Sequence, residues 1–281
     1  MLFEKTGIEF YERQNGYRLN HALLVARNRH TVSRSDKLLI EYRERSSLLA
    51  VNRHSRVIWG NAVCEQLENF FCLPDTIDHN QTVYWVTLVD INCAVSVGAT
   101  NVDVELIKQR LRSGLFGRDY LGTVEPAFYV DMQHGRFSEP RCMFWHLHAL
   151  VWGISDDAIG RLFRDLEASG RYIAIAEGFK GVHAEKIKQD QLPKVVSYML
   201  KSPSWAYRLS RLEKKGPDGE VQTDIDGQAL TSYMQGKSDL RPGERITLFH
   251  AMKNYYLDKL AVAGGEGVGL LARAKRRALA I

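Results

Sequence analysis

The chain has 281 residues, 45% hydrophobic and 25% charged, a composition that excludes a wholly disordered chain. No apolar run reaches the roughly 18–20 residues that span a bilayer, and Met1-Leu2-Phe3-Glu4-Lys5 lacks the apolar stretch of a signal peptide, so a cytoplasmic protein is expected. The formal charge of +5 hints at an anionic partner and no more.

The position of the charge is more informative. Residues 1–60 hold eleven Lys/Arg against six acids, which equals the whole surplus. A second basic cluster, Arg273, Lys275, Arg276 and Arg277, lies near the C-terminus. Solvated faces explain such flanks as readily as a nucleic-acid surface does. The four cysteines form no CxxC pair. That pattern argues against a zinc ribbon or a disulfide framework and for free buried thiols.

Residues 1–78 read as a basic, mainly helical extension, closed by a loop at Pro74-Asp75 and Asp78-His79-Asn80. Val83 to Val89 is a β-rich run. Asn101 or Asp103 caps a helix carrying Val104, Ile107 and Leu111. Thr123 to Asp131 alternates as a strand, and Pro126 marks it as an edge. After a turn at Gln133-His134-Gly135-Arg136 comes Cys142 to Trp152, apolar on both faces apart from its histidines and therefore a central strand. Ser155 caps a helix that Gly170 ends. A strand at Val182 to Ile187 and a short helix at Leu192 to Lys201 follow. Residues 206–281 read as a C-terminal extension. It holds an exposed loop at Glu213–Glu220, a helical pattern from Ile246 to Leu260 and a glycine-rich turn.

The core, residues 79–205, thus runs β-α-β-β-α-β and then a helix. The expected class is α+β, with a ferredoxin-like or RRM-like split βαβ core, a central antiparallel sheet and helical N- and C-terminal extensions.

Within that core, His146-Leu147-His148 places two imidazoles on one face of a strand, where they can share a metal. A hairpin folded symmetrically about Gly135 sets Glu125 opposite His146 and Thr123 opposite His148, so Glu125 is the candidate third ligand. Asp131 and Glu185 are the alternatives. Two imidazoles and a carboxylate suit a divalent cation. Tyr198 and Lys201 lie at i and i+3 on the last helix, with Lys194 four residues before the tyrosine. Neither motif is specific alone: ~0.3 His-x-His pairs and ~0.6 Tyr-x-x-Lys patterns are expected by chance in such a chain.

Together, His146-Leu147-His148, the neighbouring carboxylate and Tyr198-Met199-Leu200-Lys201 resemble the HUH endonucleases, named for two histidines around a hydrophobic residue. Thr87-Leu88-Val89 is similar to that family's first strand motif, and the resemblance covers about residues 82–203. A tyrosine that follows the histidines is the order of rolling-circle replication initiators (Rep-type proteins), and the absence of a second tyrosine three or four residues later implies a single-tyrosine member. The resemblance implies metal-dependent nicking and joining of single-stranded DNA, or of a DNA hairpin at an origin. Tyr198 would be the nucleophile, Lys201 its electrostatic support, and Mg²⁺ or Mn²⁺ the cofactor at His146, His148 and Glu125. Lys194, Arg53 and Arg56 are candidate DNA contacts. The sequence has no GxxxxGK[ST] loop, so a separate host helicase is implied for plasmid or phage replication. A transposase would share the site chemistry. A non-catalytic RNA-recognition-like module and an amidohydrolase-type metal enzyme are the other readings weighed.

Overall fold

The computed structural model describes residues 5–27, 33–41, 47–71, 82–99, 102–132 and 136–280. The loop read at Pro74 to Asn80, the turn at Gln133 to Gly135 and the thiol of Cys72 lie outside the described residues. Three helices open the chain: α1 (Lys5–Arg27), α2 (Arg34–Glu41) and α3 (Arg53–Phe71). Then come β1 (Val83–Ser96), α4 (Val104–Arg112), β2 (Asp119–Val130), β3 (Arg141–Trp152), α5 (Asp156–Ala168), β4 (Val182–Ile187) and α6 (Leu192–Leu200). The final stretch holds β5 (Trp205–Glu213), β6 (Thr231–Asp239), α7 (Pro242–Met252), α8 (Leu257–Leu260), β7 (Ala261–Gly264) and α9 (Gly267–Leu279). No helix of the described residues is long and apolar enough to cross a membrane.

The protein is a mixed α and β structure around one sheet, with strand order β4-β1-β3-β2-β5-β6 and β7 added to β2. The pairs β4–β1, β1–β3 and β3–β2 are all antiparallel. Local signals explain the two crossover helices. Asp103 accepts from the Leu106 amide at 3.0 Å and caps α4; Ser155 accepts from the Ala158 amide at 3.3 Å and caps α5. From Cys142 to Trp152 every residue of β3 is buried, as its composition requires of a central strand.

The sheet also corrects the sequence reading. Pro126 does not mark an edge. The outer side of β2 is filled twice, by β7 along Tyr120–Thr123 and by β5 along Phe128–Val130. Pro126 falls in the gap between these ladders, where a missing N–H costs no pairing. β5 and β6 extend the sheet where only a loop was expected; the exposed stretch at Glu213–Glu220 belongs to their connection. The helical pattern at Ile246–Leu260 is broken between α7 and α8, and the glycine-rich turn opens α9.

Alternation decides the two faces. Val86 and Leu88 of β1, Val124 and Phe128 of β2, and Trp145 and Leu147 of β3 share a core with Ile107 and Leu111 of α4 and Ile159 of α5. The same apolar cluster takes in Trp59, Val63 and Leu67 of α3, Met199 of α6 and Leu270 of α9. One core therefore runs through the central stretch and both flanks. A smaller cluster, with Tyr129, Cys142, Phe144, Ile175 and Leu209, covers one end of the opposite face. Toward the other end of that face, the Trp152 ring packs against Phe70 and Phe71. The histidines lie between these two patches. Cys64, Cys93 and Cys142 are buried free thiols.

Candidate metal centre and tyrosine cleft

β1 and β2 flank β3, so each histidine has a partner on either side. Thr87 and Thr123 pair with His148; Val89 and Glu125 pair with His146. The symmetric hairpin register is therefore the one found. The histidines are 9% and 8% exposed. Their Nε2 atoms lie 3.0 Å apart, and Glu125 Oε1 lies 3.4 Å from that of His146 and 3.6 Å from that of His148.

The donor set fits a divalent cation. The circumradius of a triangle with sides of 3.0, 3.4 and 3.6 Å is about 1.9 Å, close to the roughly 2.0–2.1 Å of metal–imidazole bonds. The other ring nitrogens are held from behind. His146 Nδ1 lies 3.3 Å from the Phe144 carbonyl, to which it can only donate, and this leaves the Nε2 lone pair facing the cluster. His148 Nδ1 lies 2.9 Å from the Thr87 hydroxyl. Burial first, then the positive fields of His146, Lys201 and Lys237, hold the His148 pKa well below the ordinary imidazole value. The neutral ring, which ligates, is thus favoured. The indole of Trp85 stacks on His148 at 4.6 Å between centroids.

Among the described residues, Glu125 is the carboxylate that joins the histidines. Asp131, in a left-handed conformation with φ 60°, pairs instead with Arg208 at 3.3 Å. Glu185 is exposed on β4, opposite Trp85.

Tyr198 faces this cluster from α6. Leu192, Val196, Met199 and Leu200 form the buried side of the helix, which turns Tyr198 toward the sheet. Its ring centroid is 6.0 Å from that of His148. Lys201 lies just beyond the helix, with extended backbone, and its amide donates to the Ser197 carbonyl at 3.2 Å. Its Nζ sits 3.7 Å above the Tyr198 ring. Burial lowers the Lys201 pKa to about 8.

The candidate DNA contacts fare differently. Lys194 is exposed on α6. Arg53 is half-buried at the start of α3. Arg56 is buried and is not a surface contact: its Nε donates to the Ala50 carbonyl at 2.5 Å and its Nη1 to the Leu200 carbonyl at 3.3 Å. A guanidinium hidden among backbone acceptors holds elements together instead of meeting phosphates. Here it ties α3 to the end of the tyrosine helix. Glu12 of α1 does the same from another side, accepting from the Ser202 amide at 2.7 Å and the Ser202 hydroxyl at 2.6 Å.

The residues missed in the sequence lie on β5 and β6. Tyr207 lies beside Tyr198; burial first, then the fields of Tyr198, Tyr129 and Glu125, push its pKa above the ordinary phenol range. It stacks on Tyr129 at 5.1 Å. Lys237 Nζ lies 5.6 Å from the Tyr198 centroid. The period-2 run Trp205-x-Tyr207-x-Leu209 is the signal that marks this strand. Tyr198, Tyr207 and Tyr129 line a cleft of about 400 Å³ that also includes Phe179 and His183. No family model, curated protein or solved structure matches this chain.

Proposed function

We propose that the protein is a metal-dependent single-stranded DNA endonuclease and strand transferase of the HUH type, acting through Tyr198 in rolling-circle replication of a plasmid or phage. The observation that carries this reading is a nucleophile-bearing ring 6.0 Å from His148, over a two-histidine, one-carboxylate cluster that fits a divalent ion. The strand order β4-β1-β3-β2, all antiparallel, with both crossover helices packed on one face, supports the ferredoxin-like reading of the core.

The Tyr198 oxygen attacks the scissile phosphorus and the bond to the 3′-oxygen breaks. The phenol proton goes to solvent and the departing oxygen gains one, which leaves a 5′-phosphotyrosine and a free 3′-OH. Bound Mg²⁺ or Mn²⁺ would supply Lewis acidity at the phosphate. Lys201 beside the phenol favours the developing phenolate. A phenoxide is also a fair leaving group, so the reverse attack by a 3′-OH reseals the strand without ATP. A separate helicase in the host cytoplasm would open the duplex.

The test is a denaturing gel of single-stranded and hairpin oligonucleotides incubated with the protein and Mn²⁺ or Mg²⁺. A covalent DNA–protein adduct is expected, lost with EDTA, in Tyr198→Phe and in the His146→Ala/His148→Ala double variant. Cleavage without an adduct would indicate a hydrolytic nuclease, and an unchanged adduct in Tyr198→Phe would overturn the nucleophile.

A further inference from the structure

We infer that the face of the β5–β6 hairpin beside Tyr198 binds single-stranded DNA, with Trp205 and Tyr233 stacking on bases and Lys237 and Arg211 neutralising phosphates. The identity of the polymer rests on the function proposed above; the surface itself is read from the hairpin.

The parallel pairing of Tyr129 with Tyr207 puts Trp205, Tyr207, Leu209 and Arg211 on the face that carries the histidines. The antiparallel pairing of β5 with β6 sets Lys237 opposite Tyr207 and Tyr233 opposite Arg211, on that same face. Aromatic rings and cations thus continue outward from the cleft. Trp205 to Arg211 spans six residues, roughly 20 Å of strand, enough for several nucleotides. The base of this platform is firm, since Leu209 is buried with Tyr129 and Phe144.

Lys237 is the most telling residue. It is exposed, and among the described residues no carboxylate pairs with it. Its Nζ stands over three rings instead, 5.1 Å from Trp205, 5.6 Å from Tyr198 and 5.7 Å from Tyr207. The acid nearest it on the ladder, Asp239 opposite Trp205, is engaged by Arg18 at 3.2 Å. An ammonium held only by ring faces next to the nucleophile is free to take a phosphate oxygen. Lys180, paired with Glu167 at 3.5 Å, and His183 stand on the opposite wall of the cleft, and no carboxylate is among its lining residues. Aromatic faces interleaved with cations along a groove match a single strand, because every base has a π-face and every nucleotide a charge. Glu213, at the far end of β5, and Asp239, engaged by Arg18, are the acids on this face.

The experiment measures binding of a fluorescein-labelled 20-residue oligodeoxythymidylate by anisotropy between 50 and 300 mM salt. It uses the full chain in a Tyr198→Phe background, with Trp205→Ala, Arg211→Ala and Lys237→Gln. Arg161→Ala, on exposed α5 across the sheet, is the control, and circular dichroism checks the fold. Trp205→Ala should weaken binding roughly five- to a hundred-fold. Arg211→Ala and Lys237→Gln should each reduce the log–log salt slope by about 0.7. Variants that fold and bind as the control does would overturn the inference and leave the open edge of β6 to a polypeptide. Adduct formation in the otherwise wild-type chain separates the two claims. An adduct with unchanged hairpin variants sinks the surface alone. No adduct but weakened hairpin variants sinks the nuclease alone. A chain with neither adduct nor oligonucleotide binding sinks both.

Discussion

The Thr87 hydroxyl lies 2.9 Å from Nδ1 of His148, across the β1–β3 ladder. This contact fixes the ring that its partner strand offers to the cluster, and fixing the rear nitrogen orients the front one. Thr87→Val keeps the shape of the side chain and deletes the hydrogen bond. Titration calorimetry with Mn²⁺ should show affinity reduced roughly 10–100-fold. Wild-type affinity in Thr87→Val would mean that Trp85 stacking alone orients the ring.

Metal-free protein should be acid-labile through His148. Its folded pKa is depressed, by burial first, below the ordinary value of 6.5. Between those two values the unfolded chain binds the proton and the folded chain does not. The stabilising contribution is therefore complete above about pH 6.5 and is lost as pH falls. With EDTA present, thermal midpoints should drop from pH 7.5 to pH 5, and His148→Asn should flatten the slope. An equal slope in that variant would assign the lability to other groups.

Arg56→Met should cost stability and leave DNA affinity at saturating protein unchanged. Removing the guanidinium strips the Ala50 and Leu200 carbonyls of their donor and leaves the charge of Glu12 less compensated. A loss of about 3 kcal/mol is expected, which lowers the midpoint by roughly 6–12 °C. A reduced salt slope with an unchanged midpoint would restore Arg56 to the DNA surface.

Gly122→Ala should loosen the metal centre from its far side. A Cβ there would stand 2.4 Å from the His148 carbonyl oxygen and 2.8 Å from the Ala149 Cβ. Both are too close to stay, so β2 must shift against β3 beside the Glu125–His146 pair. Destabilisation of about 1–3 kcal/mol is expected, together with weaker Mn²⁺ binding. An unaltered Mn²⁺ isotherm would show that the shift is absorbed before it reaches Glu125.

Period-2 alternation made part of the site legible. His146 and His148 share a face by strand geometry alone, and simple hairpin symmetry selected Glu125 over Asp131 and Glu185. The helix caps Asp103 and Ser155 and the doubly apolar β3 likewise announced themselves, because capping and burial act on adjacent residues. Pro126 misled, since a proline reports only its missing N–H and not what fills the rest of its strand's edge. β5 and β6 escaped notice because most of their residues are exposed or half-buried, which leaves little contrast between faces.

By itself, then, the sequence determined the strand and helix order of the central stretch, the shared face of the histidines and the helix that carries Tyr198. These depend on contacts within a few residues and on one short hairpin. Only the tertiary structure decided that Arg56 is a buried tie, that Tyr207 sits beside Tyr198, and that Lys237 stands over the Tyr198 ring. Those contacts span 9 to 144 residues of chain, and no local pattern encodes which distant segments a sheet brings to the same edge.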